Sequence, residues 1–479
     1  MTTVRTRFAP SPTGELHLGN ARIAVLNWLF ARHCGGRFVL RIEDTDVDRN
    51  LPDSEASMMA SLHRLGVKWD EGPDVGGDYG PYRQSERRAL YHEFAQRLVS
   101  SGAAYRCYCS IEDLEKKKEA ALATGANPVY DGTCRNLSPE DEQRYCEQGV
   151  APSIRFKVNS GQIVIDDAVR GTITFDAGEL GDFVIMKSAG LPTYNFAVVV
   201  DDATMEISHV IRGVGHLANT PRQVMLYQAL AIDPPTFVHV PHVLAPDGSS
   251  LSKRHGARSL GEYLDAGYHP DAVLNYLSLL SWSSPSGDEI LPVDRLIEEI
   301  DLERIGASDV KMDPEKLEWL SGEYIRQMSP EHLAERIVEV LGHRPDAVRI
   351  AAAIQERITT FSAAARFLPQ FSPPDPMEWD SEALEILRGP EALRTLEGVL
   401  KTLMRVEDWD GDTAVTAVRV AGKEAGAKGR QLFMPVRAAL TGSTRGPDLA
   451  DLFEVQGKAT TLRVVQQACE RMRQNLEER

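Results

Sequence analysis

Apolar and polar residues alternate over 4–9, "VRTRFA", the two-residue period of a strand with one buried face. Over 21–36, "ARIAVLNWLFARHCGG", the spacing becomes helical. Ala21, Val25, Trp28 and Leu29 share one face, and Gly35 and Gly36 end the run. A strand over 37–46 and a helix over 54–66 follow. This order predicts a parallel, doubly wound sheet. From about 87 to 190 the texture changes to a helix at 86–102, a cysteine-bearing stretch, and short strands at 153–158 and 182–188. That segment reads as an insertion. The α/β pattern resumes at 192–200 and 206–213, a helix opens at Thr220-Pro221, and 236–244 makes a strand. Beyond about 263 the chain reads as nearly all helical, with 371–380, "FSPPDPMEWD", as the clearest linker. No period of 20–50 residues recurs, which excludes repeat architectures.

Composition changes this picture in three ways. At 479 residues the chain exceeds a single core. No apolar run approaches the roughly 18 residues of a membrane span, and six cysteines make no disulfide framework. A cytoplasmic protein with no membrane partner is expected. The net charge of −17 speaks against nucleic acid unless a basic face is held locally.

The chemistry concentrates in two stretches. "PSPTGELHLGN", 10–20, feeds a glycine-rich turn into a helix N-terminus, where free N–H groups and the positive end of the helix dipole suit phosphate oxygens. It lacks the Gly-Lys-Ser/Thr ending of a P-loop. His17 either donates to a phosphate or merely caps the helix. "SSLSKRHG", 249–256, packs Lys253, Arg254 and His255 into a short polar loop that either folds over a triphosphate or stays a solvated surface loop.

These two stretches resemble the two signatures of class I aminoacyl-tRNA synthetases. The text around them, "RFAPSPTG", "VLRIEDTD", "DEGPDVGG", "GPYRQSER", "GLPTYNFAVVVDD" and "HVIRG", is similar to that of bacterial glutamyl-tRNA synthetases. "DPEKLEWLSGEYI" and "GRQLFMPVRAALTG" extend the resemblance over nearly the whole chain. It implies an α/β plus all-α fold: a Rossmann-type nucleotide-binding domain with an α+β insertion, followed by helical C-terminal domains. The expected parts are catalytic halves at 1–86 and 192–262, an acceptor-stem insertion at 87–191, and a helical connecting domain at 263–330. Anticodon-binding helical parts would occupy 331–375 and 376–479.

The resemblance also implies ligands. ATP, with Mg²⁺, would be held by Pro10, Thr13, Gly14, His17, Gly19 and Asn20 together with Ser252, Lys253 and Arg254, of which His17 and Lys253 are catalytic. L-glutamate would be held by Arg7, Ser11, Glu43, Tyr194 and Arg212. A guanidinium fork suits a side-chain carboxylate, and a carboxylate such as Glu43 suits an ammonium. The product would be glutamyl-tRNA-Glu, with tRNA-Gln as a second acceptor in members that do not discriminate. A monomer is expected. A shorter relative that glutamylates a modified tRNA base lacks the C-terminal helices, and residues 331–479 argue against it.

Three features depart from the family text. Asn20 stands for the second histidine of the first signature, and Ser250 for the first lysine of the second. "RGVGH", 212–216, has Val214 and Gly215 where two acids are usual, which predicts a change in how Arg212 is held. For metal, Cys107, Cys109 and Cys134 have a spacing that seats tetrahedral Zn²⁺. Family members place a histidine where this chain has Asn136, so Tyr130 is the expected fourth ligand and Cys146 a weaker one; three free thiols are the alternative. Residues 423–445 hold Lys423, Lys428, Arg430, Arg437 and Arg445 against one acid, Glu424, a candidate RNA face. Discrimination against tRNA-Gln is expected near Arg357.

Overall fold

The computed structural model describes residues 3–46, 49–125, 128–251 and 258–477. The chain divides into two compact units. One comprises 1–264 and 270–314, and the other 265–269 and 315–479.

In the first unit, β1 (Arg5–Phe8) pairs in parallel with β2 (Arg37–Leu40), and α1 (Leu18–His33) connects them. Gly35 at φ +61° ends α1. Gly36 then passes so close to the start of β1 that a Cβ would lie 2.1 Å from the Val4 carbonyl oxygen. Helix α1 is buried on more than the face its spacing marks: Leu26 and Asn27 are fully enclosed as well. Asn27 donates to the Ile211 carbonyl at 3.0 Å and accepts at its own carbonyl from Thr6 Oγ1, tying α1 to two strands at once.

Beyond α2 (Ser54–Arg64) and α3 (Arg88–Ser100), the expected insertion begins. It holds β3 (Ala104–Cys107), α4 (Ile111–Ala123), α5 (Pro139–Glu147) and β4 (Ser153–Phe156). A hairpin of β5 (Gln162–Asp167) and β6 (Gly171–Asp176), then β7 (Phe183–Met186), complete it. Strands β3, β4 and β7 form an antiparallel sheet. The hairpin leaves that sheet and extends another. Helix α6 (Tyr194–Thr204), β8 (His209–Gly213), α7 (Thr220–Leu230) and β9 (Thr236–Val240) follow. The four-stranded order is β6-β5-β9-β8, with Asp167 paired to Phe237. The backbone N–H of Ser208 donates to the Arg5 carbonyl, linking this sheet to the β1 edge. Short strands β10 (Val243–Leu244) and β11 (Val310–Lys311) pair in parallel.

The second unit is helical, with long elements at Pro390–Met404, Gly411–Ala425, Arg430–Thr441 and Leu449–Glu477, the last broken at Gly457. Leu396, Val418, Val436, Phe453 and Val465 are fully buried in a core that continues back through Ile325. The stretch 371–380 is therefore not a linker between separate cores. Phe371 and Met377 belong to this core, the Arg471 guanidinium lies 4.3 Å from the Trp379 ring centroid, and Asp380 caps the next helix. Its prolines bend the chain, but its apolar side chains anchor it. Among the described residues, no helix is long and apolar enough to cross a membrane.

Candidate active site

The turn after β1 is fixed from both sides. Gly14 takes φ +147°, a conformation that side chains rarely adopt, and its N–H donates to Ser54 Oγ, which donates back to the Gly14 carbonyl. Pro10 and Pro12 carbonyls accept from the N–H groups of Glu43 and Leu51. The turn thus delivers the chain to His17, which precedes α1 in extended conformation. The His17 side chain makes no capping hydrogen bond, and its buried Nδ1 has no partner. Of the two readings the sequence left, capping is removed. The first N–H groups of α1 are those any helix leaves without an internal acceptor.

Beside this turn lies a cavity of about 490 Å³. Its walls bring together Arg7, Pro10, Ser11, Thr13, Asn20, Glu43, Tyr194 and Arg212. Gly14, His17 and Gly19 sit at the adjoining turn and helix start, outside that wall. Ser252, Lys253, Arg254 and His255 lie outside the described residues.

The charged walls are held by a buried network that the sequence did not disclose. Asp202 on α6 accepts from Arg7 Nε at 3.2 Å and from Arg41 Nη1 at 2.7 Å. Arg41, fully enclosed, also reaches Glu43 at 3.3 Å and Asp201 at 3.7 Å. Asp201 in turn takes Arg87, Gln84 and Tyr91. Burial pushes the Glu43 carboxyl up to about 7, even though Arg41 and Arg7 oppose that rise.

Arg212 is held differently. Its Nε donates to His239 Nε2 at 3.1 Å, and its Nη2 to Thr220 Oγ1 at 2.9 Å and Gln223 Oε1 at 2.8 Å. Nη1 is buried without a partner. The replacement of two acids by Val214 and Gly215 therefore does not release Arg212: its described partners lie on α7 and β9, outside that turn. His216, at the end of "RGVGH", shares a hydrogen bond of 2.9 Å between its Nδ1 and Tyr194 Oη and joins the cavity wall. Desolvation, with repulsion from Arg212 and Arg7, holds it down at about 4 and so neutral.

The cysteine stretch forms a second cluster. The sulfurs of Cys107, Cys109 and Cys134 all lie within 4.8 Å of one another. Tyr130 Oη is 3.4 Å from both Cys107 and Cys109. Three clustered thiols are donors that zinc takes, with the phenol oxygen beside two of them. Burial would raise the Cys107 thiol, but Tyr130 and Arg155, whose Nε is 3.2 Å from the sulfur, outweigh it and bring it to about 7. Cys146 is exposed beside Tyr108 Oη at 3.8 Å and stands apart from the cluster.

Residues 3–319 match the family model "tRNA synthetases class I (E and Q), catalytic domain", and 322–469 match "Anticodon binding domain". The chain is 42% identical to a glutamate–tRNA ligase of Moorella thermoacetica, covering 99% of this chain and all of the relative. Glutamate–tRNA ligase 1 of Fervidobacterium nodosum is 44% identical over 96% of this chain and 97% of its own. The crystal structure of a glutamate tRNA ligase from Elizabethkingia meningosepticum, in complex with its amino acid, superposes with a TM-score of 0.91 at 32% identity. It covers 98% of this chain and 99% of that one. End-to-end relatives above 40% identity and a catalytic-domain match over two thirds of the sequence agree: the chain belongs to the glutamate–tRNA ligases, a family of class I aminoacyl-tRNA synthetases.

Proposed function

We propose that the cavity between β1, the turn 10–17, α6 and β8 binds L-glutamate beside ATP, and that the enzyme joins them as glutamyl-adenylate before passing the glutamyl group to the 3′-terminal adenosine of tRNA-Glu. One observation carries the reading: three guanidinium groups, of Arg7, Arg49 and Arg212, and one carboxylate, of Glu43, line a single small cavity next to the turn and helix start that suit phosphates. Glu43 takes the substrate ammonium, Arg7 and Arg212 its carboxylates, and Ser11 and Tyr194 complete the contact. Pro10, Thr13, Gly14, Gly19 and Asn20 shape the nucleotide side, with the phosphates toward His17. Lys253, flanked by Ser252 and Arg254, brings a further positive charge to them.

The glutamate α-carboxylate oxygen attacks the α-phosphorus, the bond to the β-phosphate oxygen breaks, and pyrophosphate leaves with its Mg²⁺, which arrives as part of the nucleotide substrate. A ribose hydroxyl of the tRNA then attacks the acyl carbon and AMP leaves. Neither step calls for a protein nucleophile, so positioning and charge stabilisation supply the rate. His17 donates to phosphate oxygens as charge builds there.

Residues 87–191 face the acceptor stem, steadied by zinc on Cys107, Cys109, Cys134 and Tyr130; the metal's contribution is structural. Residues 263–330 connect to the anticodon-reading helices, 331–375 and 376–479. There Lys423, Lys428, Arg430 and Arg445 are exposed, whereas Arg437 is half-buried on the Pro447 carbonyl near Arg357. The working form is a monomer.

The test is incorporation of labelled glutamate into unmodified tRNA-Glu and tRNA-Gln transcripts, with His17→Ala alongside. Charging of tRNA-Glu that the variant nearly abolishes is expected. Charging of tRNA-Gln as well marks a non-discriminating enzyme. Binding of tRNA without charging of either overturns the reading.

A further inference from the structure

Arg7 and Arg41 are each met by a carboxylate. Arg212 is not. Among the described residues, no carboxylate oxygen comes within salt-bridge reach of its guanidinium, and its acceptors are the neutral His239, Thr220 and Gln223. An arginine nitrogen only donates, so His239 Nε2 must be the unprotonated nitrogen. The proton is then on Nδ1, which donates to Asp167 Oδ2 at 2.6 Å. Asp167 is locked in turn by the N–H groups of Val169, Arg170 and His239. His239 and the Asp167 side chain are fully enclosed, and Arg212 is 5% exposed.

We infer that His239, fixed in its neutral tautomer by Asp167, is a positioning and specificity-determining residue that aims Arg212 while leaving its charge free for a substrate carboxylate. This rests on the reading of Arg212 as a glutamate ligand. The imidazole acts as a spacer. A carboxylate placed directly on Arg212 would neutralise it and let an uncharged side chain such as an amide compete for the cavity. An imidazole accepts one hydrogen bond and keeps the acid one ring away. Arg212 Nη1, buried and unpaired, is the donor left over for the ligand. An uncharged amide in its place cannot match that buried positive charge. Asp167 ends β5, so the hairpin inside the 87–191 stretch supplies the outer support of the amino-acid site.

The test uses the full-length enzyme charging tRNA-Glu, with His239→Leu, His239→Gln, Asp167→Asn and Arg212→Ala. Loss of a hydrogen bond to a charged group predicts that His239→Leu raises the KM for glutamate about tenfold or more and leaves the KM for ATP within about twofold. His239→Gln, which keeps a neutral acceptor for Nε, returns the glutamate KM to within about threefold of the parent. Preference for glutamate over glutamine falls in the Leu variant and recovers in the Gln variant. A normal glutamate KM in His239→Leu with a raised one in Arg212→Ala overturns the inference and leaves the site reading intact. A normal KM in Arg212→Ala overturns the site reading itself. Equal rises for glutamate and ATP mark a merely structural histidine and also overturn the inference. Should the Leu variant show no cooperative unfolding, Asp167→Asn decides. A raised glutamate KM beside a near-parental His239→Gln supports the relay, and parental values in both overturn it.

Discussion

A carboxyl beside two guanidinium groups would ordinarily sit low, yet Glu43 is pushed up to about 7 because burial outweighs Arg41 and Arg7. If Glu43 receives the substrate ammonium, it must be ionised to do so. Protonation gains as pH falls through about 7, so the KM for glutamate rises on acidification while the KM for ATP does not. A pH series of glutamate kcat/KM measures this; Glu43→Gln should be weak and flat across the range, and a parent profile equally flat would refute the assignment. His17 gives the complementary case. Its side chain caps nothing, so His17→Ala should lower kcat by about a hundredfold with little change in melting temperature. A matching drop in stability would show the side chain to be structural. The family text surrounds Arg7, Glu43, Tyr194 and Arg212, and so singled out four residues that line one cavity. Asp202, Arg41, Asp167 and His239 were not singled out. They act through partners up to 195 positions away, and no local spacing announces such a pair.

Among elements, the strand–turn–helix at the start of the chain was legible to within three residues at each end, since its periods change cleanly from two to 3.6 and glycines mark the boundary. The hairpin 162–176 was not. "QIVIDD" alternates as a strand should, but its position was read with the rest of the insertion, and its parallel neighbour lies some seventy residues on. The stretch 371–380 failed in the other direction. Three prolines and a charged end outweighed Phe371, Met377 and Trp379, which hold it against the helices. The cysteine element makes its own prediction. Metal analysis of the purified enzyme should return one zinc per chain, and Cys109→Ser should remove it. Chelation should lower the melting temperature while leaving the glutamate KM near that of the parent. No metal in protein grown with zinc would leave three thiols and a phenol in hydrogen-bonded contact as the whole of that site.

At the scale of the molecule, 53 basic residues face 70 acids, yet the enzyme must receive a polyanion. Binding then depends on where the cations are held and on the salt present. Reversing Lys423, Lys428 and Arg430 to glutamate should raise the KM for tRNA about tenfold or more and flatten its dependence on salt, with glutamate and ATP untouched. Unchanged tRNA binding would exclude this face. The α/β-then-helical order was legible from composition and period alone. The partition was less so, because contiguous stretches of sequence suggest contiguous domains. Here the chain passes from the first unit to the second at 264, returns at 270, and leaves again at 315. A single cut between 264 and 310 therefore cannot separate the halves, since it parts β10 from the strand it pairs with. For recombination, in the laboratory or in a genome, the usable crossover lies after 314, and a transplanted catalytic half must carry 265–269 with it as a foreign graft awaiting its host.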